Sequence, residues 1–213
     1  YEMNEGDNFH FACDKSGSMQ ANDCVLEGRK VSRDTRAKAK AIEYIKAGAK
    51  YDKDGTTVLA FGSDVVVYDG VTPEKAEEII GKIKAQDSAT RTDLVIKKSY
   101  ELHLAGGYKQ TVLFLVTDGE PTGIPNAQEE VKKVIREIAA DVAERGKGKG
   151  PGGSDDEHGY AISFVTSGIR SEGLNAFLTD IDDNLGAVID IVDVKDIEEV
   201  GSLEQAFAGA LHD

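Results

Sequence analysis

Residues 111–117 read Thr-Val-Leu-Phe-Leu-Val-Thr, five consecutive apolar side chains with no polar alternation, and Asp118 and Gly119 follow at once. A strand of this kind is apolar on both faces, so both faces must be covered. The arrangement that does this is a mainly parallel sheet held between helices. An antiparallel sheet with one wet face would show alternation, which is missing here. The run is also far shorter than the roughly 18 apolar residues of a membrane-spanning helix, and no other stretch reaches that length.

The remaining chain supplies the alternation of strands and helices that such a sheet needs. Residues 8–14 (NFHFACD) read as a strand ending at Asp14, and residues 34–50 as a helix opened by an Asp34 cap and closing near Gly48. Segments 56–62 and 64–70 are close enough to pair as a hairpin. Residues 73–85 predict a helix with Pro73 in its first turn and Ile79, Ile80 and Ile83 on one face. A polar loop, QDSATRT, leads to a third helix from about Asp93 to Leu104. A longer helix from Asn126 to Arg145 carries Val131, Val134, Ile135, Ile138 and Val142 at helical spacing. Residues 160–168 form a second buried strand, a helix carries Leu174, Phe177, Leu178 and Ile181, and a strand at 187–194 and a helix at 203–211 close the chain.

This pattern predicts an α/β class: a doubly wound, mostly parallel six-stranded sheet with one antiparallel edge strand and helices on both faces. Residues 146–159 (GKGKGPGGSDDEHG) are too glycine-rich to pack a core and read as a flexible insertion within one domain spanning 1–213.

Several chemistries are disfavoured. With 39 acidic and 25 basic residues the net charge is −14, and no basic stripe interrupts it, which argues against a nucleic-acid partner. Cys13 and Cys24 are too few for a disulfide framework, and Cys13 reads as a free buried thiol. No secretory leader is visible in a chain beginning at Tyr1, which leaves the compartment open with a lean to the cytoplasm. The glycines after residue 146 follow a helix and lack Walker spacing, and no G-x-S-x-G elbow accompanies Ser16 or Ser18. His10, expected to face out of the first strand, and His103, His158 and His212 show no zinc-ligand spacing. The acidic turns YDKDGTT and DIDDNLG do not have the glycine at the sixth position with a glutamate at the twelfth that a calcium loop needs.

What remains is a set of oxygen-bearing residues at strand ends. In an open α/β sheet, ligands bind beyond the carboxyl ends of the strands, where strand order reverses. The first strand delivers Asp14 there, with Ser16 and Ser18 in the loop and Gly17 easing the turn between them. The run at 111–117 delivers Asp118, and the loop before the third helix can bring Thr92 over the top. If the two strands are neighbours, two carboxylates lie close together and need a cation or a proton. Two carboxylates with three hydroxyls make an all-oxygen set that suits Mg²⁺, Mn²⁺ or Ca²⁺. Neutral hydroxyl ligands leave such a cation electrophilic, with a position for an outside oxygen, ideally a carboxylate.

DKSGSM at residues 14–19, Thr92 in TRTDL and Asp118 in VTDGEPT together resemble the von Willebrand factor A (vWA) domain and its metal-ion-dependent adhesion site (MIDAS). The segment VLAFGSDVVVYDGVTP is similar to the central hairpin of that family, so the resemblance covers nearly the whole chain. It implies a Rossmann-like fold in which Ser16, Ser18 and Thr92 contact Mg²⁺ directly, with Mn²⁺ or Ca²⁺ as alternatives. Asp14 and Asp118 then hold the ion directly or through water. It also implies a protein–protein interaction module, not an enzyme, that recruits an Asp or Glu carboxylate of a partner protein. A metal-dependent hydrolase and a scaffold with a non-functional site are the competing readings. Three features depart from the family pattern: the long segment at 19–33, the glycine-rich loop at 146–159, and an Ala-Thr-Arg-Thr loop in which Thr90 competes with Thr92.

Overall fold

The computed structural model describes residues 1–106, 110–146 and 159–211. The glycine-rich segment, His158 and His212 therefore fall outside the described residues, apart from Gly146 and Gly159 at the segment's ends.

Strand β1 (Asn8–Asp14) lies between β4 (Thr56–Phe61) and β6 (Thr111–Thr117), parallel to both. The sheet continues on one side to β5 (Val65–Val71), antiparallel to β4, and on the other to β7 (Tyr160–Thr166) and β8 (Val192–Asp196). The six-stranded order is β5-β4-β1-β6-β7-β8, with β5 the antiparallel edge strand. Chain direction across the sheet reverses at β1, so the carboxyl ends of β1 and β6 flank the switch point.

Alternation along β1 explains the two cores. Phe9, Phe11 and Cys13 face α1 (Arg33–Gly48), α2 (Pro73–Gly81) and α6 (Leu203–Leu211), with Tyr44, Ile80 and Phe207 buried on that side. Ala12, with Leu59, Leu113 and Leu115 of the neighbouring strands, faces α3 (Thr92–Ala105), α4 (Ala127–Gly146) and α5 (Glu172–Asp183). The uninterrupted apolar run of β6 is thus covered on both sides.

Three expectations are corrected and one element is new. Helix α1 is capped by Ser32, whose side chain accepts from Thr35 N, while Asp34 sits in the first turn and pairs with Lys38 at 2.9 Å. Both residues are good caps; Ser32 wins because Arg33 already belongs to the helix. Helix α2 stops at Gly81, four residues early, as Lys82 and Ile83 tighten to bonds with Ile79 and Ile80. Strand β8 begins at Val192 because the Asp190 side chain accepts from Val192 N and turns the chain there, so residues 187–190 stay outside the ladder. The segment at 19–33 contains an unforeseen hairpin, β2 (Cys24–Leu26) and β3 (Arg29–Val31), turned by Glu27 and Gly28 with φ of 51° and 76°. Positive φ at both central residues is what a two-residue hairpin turn requires, and glycine provides it without strain.

His10 also departs from expectation. Helices cover both faces of the sheet, and His10 is buried under α3, with Nδ1 2.8 Å from Ser99 Oγ and Tyr160 donating to the same oxygen at 2.9 Å. His103 is buried as well, 2.7 Å from Thr111 Oγ1. Burial, reinforced by the other histidine, lowers His10 from 6.5 to about 4. Between those values the folded state binds fewer protons than the unfolded chain, so stability present above the unfolded pKa is lost as pH falls. We expect urea unfolding to show a loss of about 2 kcal/mol from His10 between pH 7 and pH 5. His10→Gln should remove that share of the slope and leave the share of His103, which burial likewise lowers to about 4; an unchanged slope would show that His10 does not titrate as its burial implies.

Candidate metal centre

The loop after β1 is pinned from several sides. Lys15 N donates to Phe61 O at 2.7 Å, and Lys15 O accepts from Gln86 N and Asp87 N. Gly17 N donates to Asp87 O at 2.9 Å, and Met19 is fully buried in the core. Lys15 Nζ reaches Asp64 at 2.6 Å and Asp87 at 3.4 Å, which draws its charge away from Asp14. Gly17 itself is not in the left-handed region, and a Cβ there would meet only Asp87 O at 3.8 Å. The expected role for Gly17 in easing the turn is therefore corrected: the backbone anchors shape the loop.

Around this loop five residues with oxygen-bearing side chains are linked by hydrogen bonds. Asp14 Oδ1 accepts from Ser16 N and Oδ2 from Thr117 Oγ1, each at 2.8 Å. Ser16 Oγ lies 3.2 Å from Ser18 Oγ, and Ser18 Oγ donates to Asp118 Oδ1 at 3.1 Å. Asp14 and Asp118 are buried while Ser18 is exposed, so the cluster has a closed floor and an open mouth. Burial, with the adjacent Asp118 charge adding to it, raises Asp14 from 3.8 to about 6.

Thr92 begins α3 at the same edge of the sheet. Its loop is tied to the end of β4 through Arg91 N and Gly62 O at 2.8 Å, and to the segment after β6 through Thr122 N and Thr90 O. Thr92 Oγ1 is buried with no hydrogen-bond partner. Burying a hydroxyl without a partner costs about 1–3 kcal/mol, and this oxygen is free to serve as a ligand. Thr90 is also buried, and its N–H donates to Thr122 Oγ1 at 2.9 Å. Asp93, next to Thr92, is occupied by a two-pronged pair with Arg91 at 3.0 Å.

This donor set fits a hard divalent cation: two buried carboxylates that repel one another, and hydroxyls of which one is orphaned. Among the described residues no group of three or more His, Cys, Asp or Glu side chains converges. An ion held here would therefore depend on the hydroxyls.

No protein-family model matches the sequence, and no curated protein does either. Solved structures do match. Proximal thread matrix protein 1 from the mussel byssus aligns over 99% of this chain and 48% of its own, with 16% identity and a TM-score of 0.56. The PilB minor pilin of Streptococcus sanguinis aligns over 98% of this chain and 60% of its own, at 15% identity and a TM-score of 0.57. The manganese-loaded TRAP protein of Plasmodium vivax aligns over 97% of this chain and 75% of its own, at 13% identity and a TM-score of 0.55. The fold is vWA-like.

This chain spans about half to three-fifths of the mussel and pilin structures. The mussel protein has also been solved with a zinc-occupied MIDAS motif. Within the vWA-like fold, the structure links Asp14, Ser16, Ser18 and Asp118 directly and sets Thr92 at the same edge. Sequence reasoning missed Thr117, which orients Asp14, and the pair Asp23 and Arg33. Arg33 Nη1 donates to Asp118 Oδ2 at 2.9 Å, and Nε and Nη2 donate to the two oxygens of Asp23 at 2.9 and 2.7 Å. The Arg33 guanidinium holds Asp23 down from 3.8 to about 2. A basic residue at the end of a long segment was the available signal, but nothing in the sequence aimed it at Asp118.

Proposed function

We propose that this chain is a divalent-cation-dependent protein-binding module without catalysis of its own. Asp14, Ser16, Ser18, Thr92 and Asp118 hold the ion, Mg²⁺ in the first instance, with Mn²⁺ or Ca²⁺ able to replace it. The observation that carries this reading is the buried, unpartnered Thr92 hydroxyl at the same sheet edge as two buried carboxylates. The zinc-occupied and manganese-loaded structures of similar fold support it.

When bound, the ion supplies a positive centre for an acidic side chain of a partner protein. The residues of the chain do the rest. Thr117 and the Ser16 N–H fix both oxygens of Asp14, so the carboxylate is oriented before any ligand arrives. The serine and threonine hydroxyls contribute oxygen without neutralising charge. Ser18, exposed at the mouth, leaves the approach open to a partner. Both described histidines are buried and engaged elsewhere, which supports a binding role over hydrolysis.

Thr92→Val keeps the side-chain shape and removes the oxygen. Calorimetric titration with MnCl₂ is expected to show affinity at least about tenfold weaker than wild type. Proteins captured in the presence of Mg²⁺ are expected to be released by a chelator and not captured by Thr92→Val. Capture that survives both changes would place the interaction surface elsewhere.

A further inference from the structure

Arg33 is built into the centre more firmly than a surface cation. Its backbone is fixed by Arg33 N donating to Ala21 O at 3.0 Å and by Ser167 Oγ donating to Arg33 O at 3.1 Å. Its side chain lies across Gly168, where an added Cβ would sit 2.3 Å from Nε and 2.7 Å from Cδ. Gly168 has φ of +89°, so the residue is doubly suited to glycine, by conformation and by the guanidinium above it. Asp23 grips the guanidinium with both oxygens and is itself held by Ile169 N at 3.2 Å. The free edge of the fork then reaches Asp118, whose side chain is only 1% exposed.

The consequence is electrostatic. One oxygen of Asp118 faces Ser18 and the other is committed to a permanent cation. We infer that Arg33 is an internal competitor for Asp118 that lowers the affinity of this centre for divalent metal, and that Asp23 sets the strength of that competition. The inference rests on the cation-binding reading above. A guanidinium touching the same carboxylate as a divalent ion disfavours that ion roughly tenfold even at the dielectric of water, and more in a partly buried site. Asp23 offsets part of the guanidinium charge and draws it toward the hairpin. Removing that anion should therefore strengthen the hold of Arg33 on Asp118.

The test is calorimetric titration of MnCl₂ into wild type, Arg33→Gln and Asp23→Asn, with circular dichroism to confirm folding. Arg33→Gln is expected to bind Mn²⁺ at least about tenfold tighter, and Asp23→Asn to bind it more weakly. A purely structural role for the pair would weaken binding in both variants, so the opposite directions carry the inference. Binding in Arg33→Gln with none in wild type would support it further. If wild type binds and Arg33→Gln binds equally or less well, Arg33 is no competitor, while the metal reading stands. If Arg33→Gln misfolds, Arg33→Met takes its place in the same titration; in either case Asp23→Asn binding equal to or tighter than wild type overturns the inference. Absence of Mn²⁺ binding in all three proteins would remove the metal reading and this inference with it.

Discussion

Asp14→Ala is expected to abolish divalent-cation binding, with no Mn²⁺ heat at concentrations that saturate the wild-type protein. Asp14 is the buried carboxylate at the end of the central strand, and both its oxygens are oriented by neighbours. Truncation removes the charge and also leaves the Thr117 hydroxyl and the Ser16 N–H without their acceptor. Each loss costs about 1–3 kcal/mol, partly offset by relief of repulsion from Asp118. Asp14→Asn separates these effects. It keeps the side-chain volume and one acceptor oxygen, for Ser16 N–H, while the Thr117 hydroxyl can turn to Gly119 O, so the metal-free protein should lose less stability than Asp14→Ala while Mn²⁺ binding still falls by at least about tenfold. Unchanged Mn²⁺ binding in Asp14→Ala would place the cation outside this centre.

The largest stability effect is expected at Tyr44. Its ring is fully buried, edge-on to Phe9, Phe11 and Phe114 with centroids 6.5, 5.9 and 5.0 Å away, and its hydroxyl donates to Gly201 O at 2.8 Å. Tyr44→Ala empties the space where α1 meets β1 and β6, and should cost about 3–5 kcal/mol, as buried aromatic truncations do. For a chain of this size that lowers Tm by on the order of 10 °C. Tyr44→Phe keeps the ring and loses only the bond to Gly201, so about 1 kcal/mol is expected. Equal losses in the two variants by urea denaturation would show that the hydroxyl, not the ring, holds α1 in place.

Much of the fold was legible because its signals are local or periodic. The continuous apolar strands at 111–117 and 160–166 could be buried only between two helical layers, and the spacing of Val131, Ile135, Ile138 and Val142 marked α4 over nearly its full length. The errors fell where local signals compete. Ser32 and Asp34 are both good caps, Asp190 turns the chain within an apolar segment, and the hairpin at 24–31 is too short to show a pattern. His10 was misplaced because outward facing was inferred from one strand alone. Whether a strand face is outward depends on the helices packed over the sheet, and the face that carries His10 lies under α3, whose Ser99 meets its ring.

The sequence by itself determined which oxygens are available to an ion: Asp14, Ser16 and Ser18 in one short loop, Thr92 at a helix start and Asp118 after an apolar strand. Their types and spacing are properties of the chain. Only the tertiary structure decided that β1 and β6 are adjacent, that the Thr92 hydroxyl is left without a partner, and that Arg33 reaches Asp118 across 85 residues of sequence. Charge interactions depend on distance and burial in space. A motif can therefore announce its ligands, while the cation that competes with the metal becomes visible only when the hairpin and α1 are packed over the sheet.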